Sequence, residues 1–207
     1  MRGLIVATAC ALLPGMAWGG AQKYEELAQS VRSQMQSAIS DKATPYLAFD
    51  TMEEARAWLN AMSKKLESRM PERRAREEFL VTAHYEAKRA GLDPQMVLGL
   101  IQVESNFRKY AVSGAGARGY MQVMPFWTQL IGTREHNLFH LRTNLRYGCT
   151  ILRHYLDQEH GDYFRALGRY NGSLGDPVYP NMVVRAWIGT WKYTAQPGPR
   201  ARERAPG

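Results

Sequence analysis

The stretch DPQMVLGLIQVESNF, residues 93–107, decides how the rest of the chain is read. Asp93 is an N-cap residue type able to accept from the first free amides of a helix, and Pro94 suits the first turn, where no amide hydrogen is needed. Val97, Leu100 and Ile101 then recur at helical spacing and mark a buried stripe. Glu104 lies three residues beyond Ile101 and four beyond Leu100, so its carboxylate points along that apolar stripe. Burial there disfavours the charged form and raises the carboxyl pKa, as a general acid working near neutral pH requires. The spacing also admits a plainer use, a helix-end glutamate that reaches solvent or pairs with Arg108.

Working outward, Glu77 to Ala90 forms a helical run that stops at Gly91. Residues 22–76 also read as helices. The best formed opens at Thr51, with Glu54 three residues on as a capping box, and has Ala55, Trp58, Leu59, Met62 and Leu66 on its apolar face. That face carries no chemistry and is scaffold. Downstream, short helices are expected near Pro125, Thr143, Asp162 and Pro180, with Gly161 closing the one that contains Leu145 and Leu152. Strand signals are confined to Tyr110–Met124, a short glycine-rich stretch fit for a small hairpin. The fold class is all-α with a minor β element.

The first residues, Met1 to about Gly20, combine Arg2, an apolar run from Leu4 to Leu13, and small residues at Ala17 and Gly19, which is the pattern of an export signal. Pro14 and Gly15 interrupt the run before it reaches the roughly 20 residues that span a bilayer, so stable membrane insertion is not expected. Cys149 then stands alone in the exported chain and cannot form an internal bridge; its place in an apolar helix pattern makes it a small buried hydrophobe. The net charge of +8 favours a polyanionic partner: nucleic acid, a membrane surface or an acidic wall polymer. Export favours the wall polymer, and the basic residues occupy no element that would read nucleic acid. Gly114, Gly116 and Gly119 spell G-x-G-x-x-G, but no βαβ unit surrounds them, which excludes a dinucleotide fold. His136 and His140 lie four apart without a third ligand, so no metal or other cofactor is expected. The Pro-, Gly- and Arg-rich residues 196–207 have too little apolar content to pack.

Four blocks in order carry a resemblance. Glu104, Ser105, Asn106 and Phe107 are followed by Ala111, Val112 and Ser113, then by Gly116, Ala117, Arg118, Gly119, Tyr120, Met121, Gln122, Val123, Met124 and Pro125. Asn144 and Gly148 form the third block, and Ala166, Leu167, Tyr170 and Asn171 the fourth. Over about residues 80 to 175 this pattern resembles the lysozyme-like lytic transglycosylases, the soluble lytic transglycosylase catalytic domain related to goose-type lysozyme. The resemblance implies a helical lysozyme-like fold with a minimal β-hairpin and an N-terminal helical extension. With the reading of the two ends, the chain divides into an export signal at 1–20, an N-terminal helical extension at 21–76, the lysozyme-like domain at 77–195 and a basic tail at 196–207. By the same resemblance Glu104 is the catalytic acid and then base, and Ser113, Gln122, Met124, Tyr170 and Asn171 bind substrate. Tyr170 and Asn171 would stand opposite the glutamate, with Tyr170 able to hydrogen-bond to it.

The implied activity is non-hydrolytic cleavage of the MurNAc–GlcNAc bond of peptidoglycan glycan strands to 1,6-anhydro-MurNAc ends, in the periplasm or cell envelope. Hydrolysis as in goose-type lysozymes and a non-catalytic wall-binding or secretion-assembly role are the alternatives. Two departures touch the cleft edge: Thr128 stands third after Pro125, where the family commonly has a threonine second, and Phe139, His140 and Leu141 replace an aspartate-proline pair. Tyr120, Trp127, Tyr179, Trp187 and Trp191 are candidates for stacking on sugar rings or for ordinary core packing.

Overall fold

The computed structural model describes residues 22–194, so the expected export signal and basic tail lie outside the described residues. Eight α-helices follow one another among these: α1 (Gln29–Ser40), α2 (Met52–Leu66), α3 (Arg73–Arg89), α4 (Pro94–Ser105), α5 (Phe126–Ile131), α6 (Leu141–Gln158), α7 (Tyr163–Asn171) and α8 (Val178–Arg185). A single π-helical turn, Ala186–Thr190, continues α8.

Local chemistry accounts for the best-defined starts. Thr51 Oγ1 accepts from the Glu54 amide at 3.1 Å and the Thr51 amide donates back to Glu54 Oε2 at 3.2 Å, closing the capping box ahead of α2. Asp93 Oδ1 accepts from the amides of Gln95 at 2.7 Å and Met96 at 3.1 Å, and Pro94 opens α4. On α2 the residues Ala55, Trp58, Met62 and Leu66 are buried, while Leu59 is only partly covered. Helix α4 is apolar almost all round, from Met96 through Ile101, and is correspondingly enclosed by α3, α8 and the π turn. It is the central helix.

Two expectations change. Residues 22–28 are not helical; the Gln22 side chain is instead engaged far along the chain, with Met124 and Trp127. The hairpin expected within Tyr110–Met124 is reduced to isolated antiparallel bridges, Val112 with Arg118 and Arg118 with Val123. So few residues between turns cannot build a ladder, and side chains from neighbouring helices satisfy the remaining polar groups of this loop.

One apolar cluster runs from Leu27 to Trp191 and takes Met35 and Ile39 of α1 and Trp58 and Met62 of α2 together with α3, α4 and α6. The N-terminal helices therefore share the core of the remainder. A buried ionic group reinforces this junction: Glu86 of α3 accepts from Arg146 of α6 and from Arg89, each at 2.9 Å, and Arg146 also donates to the Asp41 carbonyl just past α1. Cys149 is fully buried and burial pushes its thiol up, as suits an inert core residue. No helix among the described residues is long and apolar enough to cross a membrane.

Candidate active site

Glu104 occupies the last turn of α4 with only 1% of its surface exposed. Its two oxygens differ. Oε1 accepts from the Tyr179 hydroxyl of α8 at 2.5 Å, while Oε2 is buried without a hydrogen-bond partner in the protein. Burial pushes the carboxyl from its ordinary value of 4.5 up to about 8, against the lowering effect of the Tyr179 hydrogen bond. A carboxyl so placed keeps its proton at neutral pH, and the unpartnered oxygen is the one free to transfer it. The ion pair with Arg108 that the helix-end position allowed does not form; Arg108 donates instead to the Ser105 carbonyl at 3.0 Å.

The loop from Ala111 to Met124 lies against this helix end and is fixed from several sides. Ser105 Oγ donates to the Tyr120 carbonyl at 2.7 Å, tying the residue after Glu104 to the loop. From α6, Asn144 accepts from the Met121 amide and donates to the carbonyls of Arg118 and Leu138, each at 2.8 Å. The loop passes so close that a Cβ on Gly119, at φ +76°, would stand 2.4 Å from Asn144 Nδ2, and one on Gly148 would stand 2.3 Å from Met121 Sδ. This is why small residues are needed at both places.

Of the residues expected to bind substrate, Gln122 sits in a left-handed backbone conformation, φ +48°, uncommon outside glycine and asparagine. Its side-chain amide donates to the Ala111 and Gly119 carbonyls at 3.1 and 3.0 Å, leaving Oε1 buried and unpartnered. Ser113 Oγ accepts from the Ala117 amide at 3.1 Å and holds the glycine turn. Met124 is half-buried at the loop end, and Asn171 is half-buried as the last residue of α7. Tyr170 is fully buried beside the site, but its hydroxyl donates to the Met121 carbonyl at 2.7 Å and not to Glu104. The phenol that reaches Glu104 is Tyr179, from the next helix, because α8 packs on α4 while α7 faces the loop. Tyr179 stood in the sequence only as one aromatic among several, without local spacing to link it to Glu104.

Gln22 was not singled out by any motif. Its side-chain oxygen accepts from the Met124 amide at 3.2 Å and from Trp127 Nε1 at 3.0 Å, and its amide group donates to the Gln122 carbonyl at 3.4 Å. Trp127 and Trp191 are buried core residues, as is Tyr120, whereas Trp187 is partly buried against Tyr163. His136 is engaged with the Tyr147 hydroxyl at 2.7 Å.

The family model of the transglycosylase SLT domain matches residues 82–177, which include Glu104, the loop, Asn144 and all of α7. The chain is 38% identical over 101 residues to the transglycosylase of Enterobacteria phage PRD1, a match covering 45% of this chain and 37% of that protein. It is 50% identical over 52 residues to membrane-bound lytic murein transglycosylase C of Actinobacillus pleuropneumoniae serotype 5b (strain L20), covering 25% of this chain and 14% of that one. The corresponding protein of Haemophilus influenzae (strain PittEE) is 46% identical over the same length. The match thus spans well under half the length of these relatives. Residues 82–177 match the transglycosylase SLT domain, and the relatives that share this region are transglycosylases by name.

Proposed function

We propose that this protein is a peptidoglycan lytic transglycosylase in which Glu104 acts first as acid and then as base. The observation that carries the reading is the buried carboxyl of Glu104, held at one oxygen by Tyr179, without a protein partner at the other and protonated at neutral pH. Most glycoside hydrolases use two carboxylates. Here a single one serves, and the substrate supplies the second group. Glu104 gives its proton to the glycosidic oxygen between MurNAc and GlcNAc as the C1–O bond breaks, and the MurNAc acetamido oxygen stabilises the cationic C1. The resulting Glu104 carboxylate removes the proton from the C6 hydroxyl of the same sugar, whose oxygen bonds to C1. The product is a 1,6-anhydro-MurNAc end, and Glu104 recovers its proton.

Ser113, Gln122, Met124, Tyr170 and Asn171 are the proposed substrate-binding residues. The buried, unpartnered Gln122 Oε1 and the half-buried Met124 and Asn171 support that assignment. Residues 77–195 act as the catalytic unit and 21–76 as its extension, working in the envelope after export on the polyanionic glycan that the positive charge favours.

The test is mass analysis of fragments released from purified peptidoglycan. The wild-type chain releases anhydro-muropeptides, and Glu104→Gln, which keeps shape and packing, releases them about 100- to 10,000-fold more slowly. Reducing ends in place of anhydro ends would make the enzyme a hydrolytic muramidase. Equal release by both proteins would remove Glu104 from the chemistry.

A further inference from the structure

The segment 22–28 runs past the end of the loop and the start of α5, where Gln22, Tyr24 and Glu25 make its contacts. Gln22 is 4% exposed, and it brings its amide to three groups from one short stretch: the Met124 N–H, the Trp127 indole N–H and the Gln122 carbonyl. Two donors converge on one oxygen while an acceptor receives the neighbouring N–H. Such a notch suits an amide, and a sugar acetamido group brings the same two functions, a carbonyl that accepts and an N–H that donates. The notch is built on the backbone of Gln122 and Met124, two of the residues proposed to bind substrate, on the loop whose Tyr120 carbonyl is tied to Ser105 beside Glu104.

The rest of the segment is held lightly. Tyr24 meets the Phe126 ring edge-on at 5.7 Å yet remains 63% exposed. Glu25 pairs with Arg169 at 3.6 Å with both side chains partly in water, where such a pair contributes little. Leu27 is the one side chain of the segment that enters the apolar core. The strap is therefore fastened mainly by the Gln22 amide, and a ligand able to replace those hydrogen bonds can displace it.

We propose that residues 22–28 form an intramolecular plug, with the Gln22 amide occupying an acetamido-binding notch in competition with the glycan. The nature of the competing ligand rests on the function proposed above; the contact itself does not. In the competition, the apparent affinity for an acetamido sugar is reduced by the fraction of molecules with the strap in place.

The test compares the full chain with its Gln22→Ala variant, using the N-acetylglucosamine trimer as probe and two readouts. Calorimetry should show the trimer binding the variant about tenfold more tightly, the scale expected when two or three hydrogen bonds no longer have to be exchanged. In ¹⁵N NMR spectra, the Trp127 indole N–H resonance, assigned through Trp127→Phe, should move in the unliganded variant and move again when trimer is added. Equal affinity for the two proteins overturns the plug and leaves the glycan-cleft reading intact. Binding to neither, with the Trp127 resonance still shifted by the substitution, overturns the competition together with the glycan reading while the Gln22 contact stands.

Discussion

The carboxyl of Glu104 is costly to the fold in the state that ordinary solution chemistry prefers. In the unfolded chain it loses its proton near 4.5, whereas in the folded protein burial holds the proton up to about 8. Between these values the unfolded state binds fewer protons, so stability falls as pH rises across that window and is undiminished below it. Glu104→Gln removes the penalty without changing shape. It should be more stable than wild type by about 1 to 3 kcal/mol at pH 8, with the gap closing near pH 4, as read from urea melts at the two values. A constant gap would mean that glutamine improves packing and that the carboxyl does not titrate as described. If Glu104 is the acid, as proposed, kcat/KM for glycan cleavage should fall as pH rises through about 8, the range where its carboxyl loses the proton.

At the scale of elements, the decisive joint is between α6 and the loop before α5. Asn144 spends all three of its hydrogen bonds on the backbone of Arg118, Met121 and Leu138, and so acts as a pin that shapes the loop carrying Gln122 and Met124. Asn144→Ala leaves the Met121 amide and the Leu138 carbonyl without partners, while the Arg118 carbonyl keeps the Val123 amide, and should destabilise the fold by about 2 to 4 kcal/mol in thermal or urea unfolding. Its activity should drop while the pH at which the alkaline limb falls stays where it was, since Glu104 and Tyr179 are untouched. A stable variant with normal activity would show that glycine geometry and Ser105 alone hold the loop. The helix starts at Thr51 and Asp93 were legible because caps lie within three residues of what they cap. The loop was not, because its shape depends on an asparagine more than twenty residues downstream.

For the molecule as a whole, the question is how the N-terminal helices are joined to the rest. They share the apolar core, and Arg146 adds a polar tie between Glu86 of α3 and the chain leaving α1 at Asp41. Breaking one side of a buried ion pair leaves the other charge poorly compensated, at a cost of about 3 kcal/mol or more. Arg146→Met should therefore lower stability by about that amount, and amide exchange in residues 29–40 should accelerate more than in α4. The remaining contacts of Glu86 with Arg89 and Arg142 set the lower bound of the loss. Unchanged exchange in α1 would mean that apolar packing alone fastens the extension.

Periodicity, caps and the glycine-rich loop are local properties, and from them the chain's own order of residues determined an all-helical fold and a single carboxyl aligned with the apolar stripe of α4. The ordered blocks from Glu104 to Asn171 also carried the resemblance to the lytic transglycosylases, and they lie within the residues that match the transglycosylase SLT domain. Tertiary structure alone decided which partners meet that carboxyl. Tyr179, 75 residues from Glu104, takes the hydrogen bond expected of Tyr170, and Gln22, 100 residues from Gln122, fills the notch beside it. Neither pairing leaves a local trace, because each follows from how helices and a strap pack against one another, and a side chain's reach after packing is not written in its spacing along the chain.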